Sequence, residues 1–156
     1  MKYLHRSLPL PAPELFGLLA AVLVIVGSMS PWVRMWAVGF VGSQVDIIYV
    51  SGMSGDGRVT LVLGILAAVL ATSRLTRLGS NTWSTKVQSA GVVILVIAGL
   101  VGVFNWSELD RISGRDLGVN YLRYGFQPGW GLILVAVSGF AGAAALVYQI
   151  WNDHFR

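Results

Sequence analysis

The chain has 156 residues, of which 55% are apolar and only 12% charged, and its mean hydropathy is +0.70. That charged share is about half the usual value for a soluble domain, too little to cover a globule with polar surface. Cysteine is absent, which excludes disulfides, thiolate metal sites and cysteine nucleophiles, and the net charge of +4 is scattered, without the basic, aromatic-interleaved patch that nucleic acid requires.

Four apolar stretches, residues 15–29, 59–73, 87–106 and 129–151, have no ionisable residue at their centres. A membrane helix needs about 20 mostly apolar residues. The third and fourth stretches meet that length unaided, and the first two meet it when their polar ends lie at the interfaces, with arginine stems extended outward. The expected fold is therefore an all-α membrane protein, a four-transmembrane-helix bundle forming one domain over residues 1–156. Its helices are expected at about 13–32, 57–75, 87–106 and 129–151.

The tail, residues 1–12, carries Lys2, Arg6 and the stiff Pro9-Leu10-Pro11-Ala12-Pro13 run that delivers the chain into the first helix. Glu14 reads as a first-turn acid favoured by the helix dipole. A basic start before an apolar run also outlines a signal peptide. The best small-residue site, Ser28-Met29-Ser30, is followed directly by Pro31, so the segment is read as retained.

The first connecting loop, about residues 33–56, is the most structured in composition. Residues 33–41 and 44–51 mix β-formers with small residues around Gly42-Ser43, which predicts a small β-hairpin. A hairpin alone is marginal in water, so it must lie on the helix ends, on the third loop or on another protein, and its free edge is a candidate docking strand. Gly52-Met53-Ser54-Gly55-Asp56-Gly57 lacks the oxygen ligands of a calcium loop and the lysine of a phosphate loop. It reads as a tight turn into the second helix, with Asp56 as N-cap to the amides of Arg58 or Val59.

The second loop, about residues 76–86, is short and carries Arg77 and Lys86 close behind Arg74, with no acid. By density of Lys and Arg near the helix ends, this loop and both termini are cytoplasmic, and the first and third loops face outward. Trp32, Trp36, Tyr49, Trp106, Tyr121, Tyr124 and Trp130 then fall at the outer interface, and Tyr3, Trp83, Tyr148 and Trp151 at the inner one. Trp36 and Tyr49 also suit the core of the first loop. In the third loop, about residues 107–128, Ser107-Glu108-Leu109-Asp110 fits a capping signal for a short separate helix ending near Ser113. Arg111, Arg115 and Arg123 among Tyr121, Tyr124 and Phe126 suit lipid phosphates or an acidic partner; equally, they form a solvated face with rim ion pairs.

Within the helices, Gly17 and Ala21, Ala98 and Gly102, Ser138 and Gly142, and Gly139 and Ala143 are pairs of small residues four apart. Such faces let backbones approach closely, inside the bundle or against another protein. The fourth helix has more small residues than one internal contact needs, so Ser138, Gly139, Gly142 and Ala143 are expected to bind a partner, together with Trp36, Tyr49, Arg111, Arg115 and Arg123.

Catalysis finds little support. His5 and His154 lie near opposite chain ends, and nothing in the spacing of Asp46, Asp56, Glu108 and Asp110 singles out a carboxylate pair. Only neutral groups such as Thr60, Gln88, Ser89 and Ser138 approach membrane depth, which argues against a pump or proton-coupled carrier. No catalytic residue, metal site or cofactor is expected.

Pro31-Trp32 and the run Ser54-Gly55-Asp56-Gly57-Arg58-Val59-Thr60-Leu61 carry a resemblance to small four-helix integral membrane proteins common in high-GC actinobacteria, most without an assigned function. Nine arginines against two lysines suit such a genome. The plan is also similar to that of claudins, with a stranded loop between helices one and two, but the claudin cysteine pair is absent. The expected function is a non-catalytic accessory or stabilising subunit of a larger cytoplasmic-membrane complex, a respiratory or lipid-transport assembly. Its expected partners are membrane lipids and proteins of that complex. The alternative is a small channel or carrier for a neutral or lipid-like solute, which would require a wide groove between helices.

Overall fold

A computed structural model describes residues 12–38, 45–75, 81–113 and 123–154. The protein is mostly helical, with four helices and one small sheet. Helix α1 is Ala12–Met29, α2 Gly57–Leu75, α3 Asn81–Ser113 and α4 Trp130–His154. Strands β1 (Pro31–Val38), β2 (Val45–Ser51) and β3 (Arg123–Pro128) form an antiparallel sheet in the order β2-β1-β3. The spans Lys86–Leu109 and Trp130–Asn152 are long and apolar enough to cross a membrane, and Leu15–Met29 and Gly57–Ser73 are shorter apolar helices.

Each helix buries a stripe at helical spacing. On α1 it is Gly17, Ala20, Ala21, Val24, Gly27 and Ser28, and on α2 Gly57, Thr60, Gly64 and Ala67. On α3 it is Gln88, Gly91, Leu95, Ala98, Gly99 and Gly102, and on α4 the stripe runs from Gly131 through Val135, Gly139 and Gly142 to Leu146. Steps of three and four keep such residues on one side of a helix with 3.6 residues per turn. The stripes meet in a ring, in which α1 packs on α2 and α4, and α3 packs on α2 and α4. The core cluster at its centre is Ala21, Val24, Ala67, Leu95, Ala98, Ala143 and Leu146.

Small residues dominate that core because the backbones lie very close. A methyl built on Gly139 would lie 2.7 Å from Gly99 N and 2.8 Å from Leu95 O. One built on Gly27 would lie 2.8 Å from Gly131 O, and one on Gly131 2.7 Å from Gly27 O. Apart from Val24, Leu95, Leu132, Val135 and Leu146, many large apolar side chains therefore point out of the bundle. Phe16 and Val26 on α1, Val62 and Val69 on α2, Val93 and Phe104 on α3, and Val137 and Val147 on α4 are all exposed.

Several sequence expectations are corrected. Helix α1 stops at Met29, and Pro31 and Trp32 begin β1. Helix α3 runs unbroken for 33 residues, so the short helix expected near Ser113 is its last part. Ser107 caps nothing; its hydroxyl donates back to Phe104 O at 2.8 Å within the continuous helix. Asp56 holds the N-cap position of α2 through its backbone, its carbonyl accepting from Thr60 N at 3.1 Å, but its carboxylate does not cap the amides of Arg58 or Val59. The amides of Arg58 and Val59 donate to Gly55 O and Asp56 O, and the Asp56 carboxylate accepts from Asn105 Nδ2 at 3.0 Å. The third loop also supplies β3, which pairs with β1 and turns the expected hairpin into three strands. The proline-rich tail, the Gly42-Ser43 turn, Arg77, Arg115 and Tyr121 lie outside the described residues.

Candidate functional site

The sheet is fastened to the ends of α1 and α4 by backbone and side-chain bonds. Gly52 N donates to Ser30 O at 3.1 Å, Gly129 N to Trp32 O at 2.7 Å, and Ser51 Oγ to Met29 O at 3.1 Å. Trp32 anchors the junction. It is buried against Leu132 and Val135, and its Nε1 donates to Gly27 O at 2.9 Å. Leu109 packs on the same cluster, so the last turns of α3 support the sheet rather than trailing away from it. Trp32, expected among the interface aromatics, is buried as the core of the sheet–bundle joint. Tyr49 is the reverse case, being 58% exposed rather than loop core.

The register brings some of the expected site residues together. Arg34 on the central strand lies opposite Tyr49 on β2 and Gln127 on β3, and all three are exposed. Trp36 is in register with Ile47 and Gly125, and Val38 with Val45 and Arg123. Arg111 falls in the last turn of α3, the helix that packs on β3. Among the described residues, strand β2 keeps one unpaired edge, bearing the exposed Ile48, Tyr49 and Val50.

The small residues of α4 belong elsewhere. Ser138 and Ala143 are buried, and the Ser138 hydroxyl donates to Leu134 O at 2.5 Å within its own helix. Gly139 lies on Gly99 and Leu95, and Gly142 on Ala20 and Leu95. This face is filled by α1 and α3, which corrects its assignment as a docking surface. Two internal contacts account for Ser138, Gly139, Gly142 and Ala143, whereas Ala141 and Ala144 are exposed.

Neither a family model nor a curated protein matches the sequence. What the site can do therefore rests on its own chemistry. Among the described residues, no three His, Cys, Asp or Glu side chains gather as metal ligands.

A second feature lies at the opposite end of the bundle from the sheet. There Gly17, Ala67, Leu70, Ala71, Val87, Gln88, Gly91, Leu95 and Leu146 line a partly open cleft. It spans about 390 Å³ counting its mouth, but only about 20 Å³ of it admits the centre of a water molecule. Among the described residues, Gln88 is its one polar lining residue, 5% exposed, and its Nε2 is buried without a hydrogen-bond partner. The sequence placed Gln88 near membrane depth but carried no sign that it lines a cleft; that depends on which residues α1, α2 and α4 bring opposite it.

Proposed function

We propose that this chain is a four-span integral protein of the cytoplasmic membrane, with both termini in the cytoplasm, acting as a non-catalytic accessory subunit of a larger membrane complex. The observation that carries this reading is the belt of exposed large apolar side chains. Small residues make the tightest contacts between helices, beside the buried Val24, Leu95, Leu132, Val135 and Leu146, and large apolar residues cover the outside of all four helices. In water that exterior would be an apolar patch far beyond the few hundred Å² a soluble monomer tolerates. In lipid it costs nothing, and close backbone packing replaces the hydrophobic effect as the force between helices.

Helix length supports four spans. At 1.5 Å per residue, α1 with 18 residues and α2 with 19 reach about 27–28 Å, close to the roughly 30 Å hydrocarbon thickness. The longer α3 and α4 exceed it, and α3 carries its polar end out to the sheet. Sidedness follows from the density of Lys and Arg around residues 74–86.

The accessory reading is supported by how little room the interior leaves. A carrier needs a groove that admits its solute, whereas the cleft at the end away from the sheet admits about one water. The sheet offers what a stabilising subunit uses, an unpaired β2 edge with Ile48, Tyr49 and Val50 exposed, able to extend a partner's sheet. Affinity purification in mild detergent followed by mass spectrometry tests this. Co-purification of a defined set of membrane subunits is expected, and their loss when β2 is disrupted by Ile48→Pro. Recovery only as free monomer or self-oligomer would overturn it.

A further inference from the structure

The open edge of β2 has two unlike sides. Opposite residues of an antiparallel pair turn their side chains to the same face, and successive residues alternate between faces. Ile48 is in register with Met35, and Val50 with Val33, which packs on the Trp32 cluster against the helices. Ile48 and Val50 therefore share the helix-facing side. Yet they are 53% and 36% exposed, because α3 packs on β3 and α4 on β1, whereas β2 packs chiefly on β1. Tyr49 points the other way, in one row with Arg34 and Gln127, all three exposed. Among the described residues, Arg34 has no hydrogen bond or ion pair. The next rungs in register, Trp36 with Ile47 and Gly125, then Val38 with Val45 and Arg123, place no acid beside it.

We infer that the β2 edge takes up a partner strand of the pattern apolar–acidic–apolar, with the acid beside Tyr49 and paired to Arg34. This rests on the accessory-subunit reading above and states the chemistry of its partner. The period of two sets the pattern. An added strand that puts one residue beside Tyr49 puts that residue's two neighbours beside Ile48 and Val50, whichever way it runs. Those neighbours must be apolar to take two exposed aliphatic side chains out of water. The middle residue lies two strand spacings from Arg34, about 10 Å between Cα atoms, a gap that an arginine and a glutamate close from opposite sides. Backbone bonds along an edge give affinity without sequence preference, so the ion pair and the apolar contacts supply the selectivity. A second copy of the chain does not fit. Asp46, the acid of β2, is three residues from Tyr49 and so falls on the opposite face of the strand. A two-fold antiparallel pairing, which keeps like faces together, never sets it beside Tyr49 of the other copy.

The test uses the full chain in phosphatidylcholine nanodiscs, which carry no net charge. The probes are two fluorescent nine-residue peptides that alternate threonine and valine around a central glutamate or a central lysine, and binding is read by anisotropy. The glutamate peptide is expected to bind about fivefold tighter, since one exposed charge pair attracts in one case and repels in the other. Arg34→Gln should remove that preference and Arg34→Glu should invert it. Both changes fall at an exposed position, and circular dichroism checks that the fold is kept. Ile48→Thr should weaken both peptides by a similar factor without changing their order. Equal binding of the two peptides by the wild type, a preference unmoved by Arg34→Glu, no binding of either, or a dimer of the free chain joined β2 to β2 overturns the inference. The accessory reading is judged apart from these, by whether membrane subunits co-purify. Their absence with the charge preference intact would remove that reading and keep the edge chemistry.

Discussion

Ser28 Oγ and Thr60 Oγ1 lie 2.8 Å apart, both fully buried, and join α1 to α2. Proton accounting sets the direction of the bond. Each hydroxyl has one hydrogen. Ser28 gives its own to Val24 O at 2.6 Å, so Thr60 donates to Ser28 in preference to the longer 3.1 Å contact with Gly57 O. Thr60→Val removes that donor at nearly constant volume, and a loss of about 0.5–1.5 kcal/mol is expected. Ser28→Ala removes that acceptor together with the donation to Val24 O, and should cost at least as much. Because both changes break the shared bond, the double variant should cost less than their sum, measured as a double-mutant cycle by unfolding in mixed micelles. Additive effects would mean the hydroxyls act separately.

Helix α4 offers a sharper contrast between its inner and outer sides. Gly139 has no room for a side chain against Gly99 and Leu95, whereas Ala141, two residues on, is exposed. Gly139→Leu should separate α3 from α4 and cost more than the roughly 1–3 kcal/mol usual for overpacking, because the obstruction is backbone. Ala141→Leu should leave thermal stability unchanged. Were the small-residue face a docking surface, Gly139→Leu would spare the isolated protein and disrupt only its complex.

These two cases show where the sequence was legible. Small residues four apart at Ala98, Gly102, Ser138 and Gly142 announced close packing, but the excess on α4 was assigned to a partner because a linear reading cannot count how many helices one face touches. The hairpin was legible in β-formers flanking Gly42-Ser43. Strand β3 was not, because Arg-Tyr-Gly-Phe-Gln-Pro contains a glycine, ends in proline and lacks clean alternation. Its place depends on tertiary anchors such as Gly129 N to Trp32 O. The unbroken α3 was readable in one respect that the capping signal at Ser107 obscured: no glycine or proline interrupts residues 103–113. The Gln88 cleft was not readable at all, since four separate helices build it.

Trp32 holds the sheet to the bundle by ring packing and by one hydrogen bond, and the two contributions separate by substitution. Gly27 O also accepts from Ser30 N at 3.2 Å, so it keeps a partner when the indole is lost. Trp32→Phe should therefore cost only about 1 kcal/mol. Trp32→Ala empties the space beside Leu132 and Val135 and should cost about 3–5 kcal/mol. The expected readout is protease cleavage within the sheet, slow in wild type and Trp32→Phe and fast in Trp32→Ala.

The absence of cysteine makes sidedness directly measurable. Single substitutions Tyr49→Cys and Lys86→Cys place thiols at two exposed positions on opposite ends of the bundle. In intact cells a membrane-impermeant maleimide should label Tyr49→Cys and spare Lys86→Cys, and permeabilisation should label both. The reverse pattern would invert the proposed threading, and equal labelling in intact cells would sink it.

Whether lipid or water surrounds the bundle is decided by a charge on its outer face. Val137 is 62% exposed two turns into α4, with Phe140 and Ile133 exposed one turn to either side. Exchanging an exposed valine for aspartate on a soluble surface usually changes stability by less than about 0.5 kcal/mol and improves solubility. At the centre of a membrane helix an aspartate costs about 2.5–3.5 kcal/mol in insertion. Val137→Asp is therefore expected to lower the fraction of protein resisting alkaline carbonate extraction, while Gln127→Asp on the exposed sheet should not. The position on the helix matters as much as the residue. The same aspartate at Tyr148, about three turns nearer the C-terminal end of α4, should be tolerated better because it reaches the interface. A flat response along this outward face, with Val137→Asp as harmless as Gln127→Asp, would show that the apolar belt meets water or a partner protein instead of lipid.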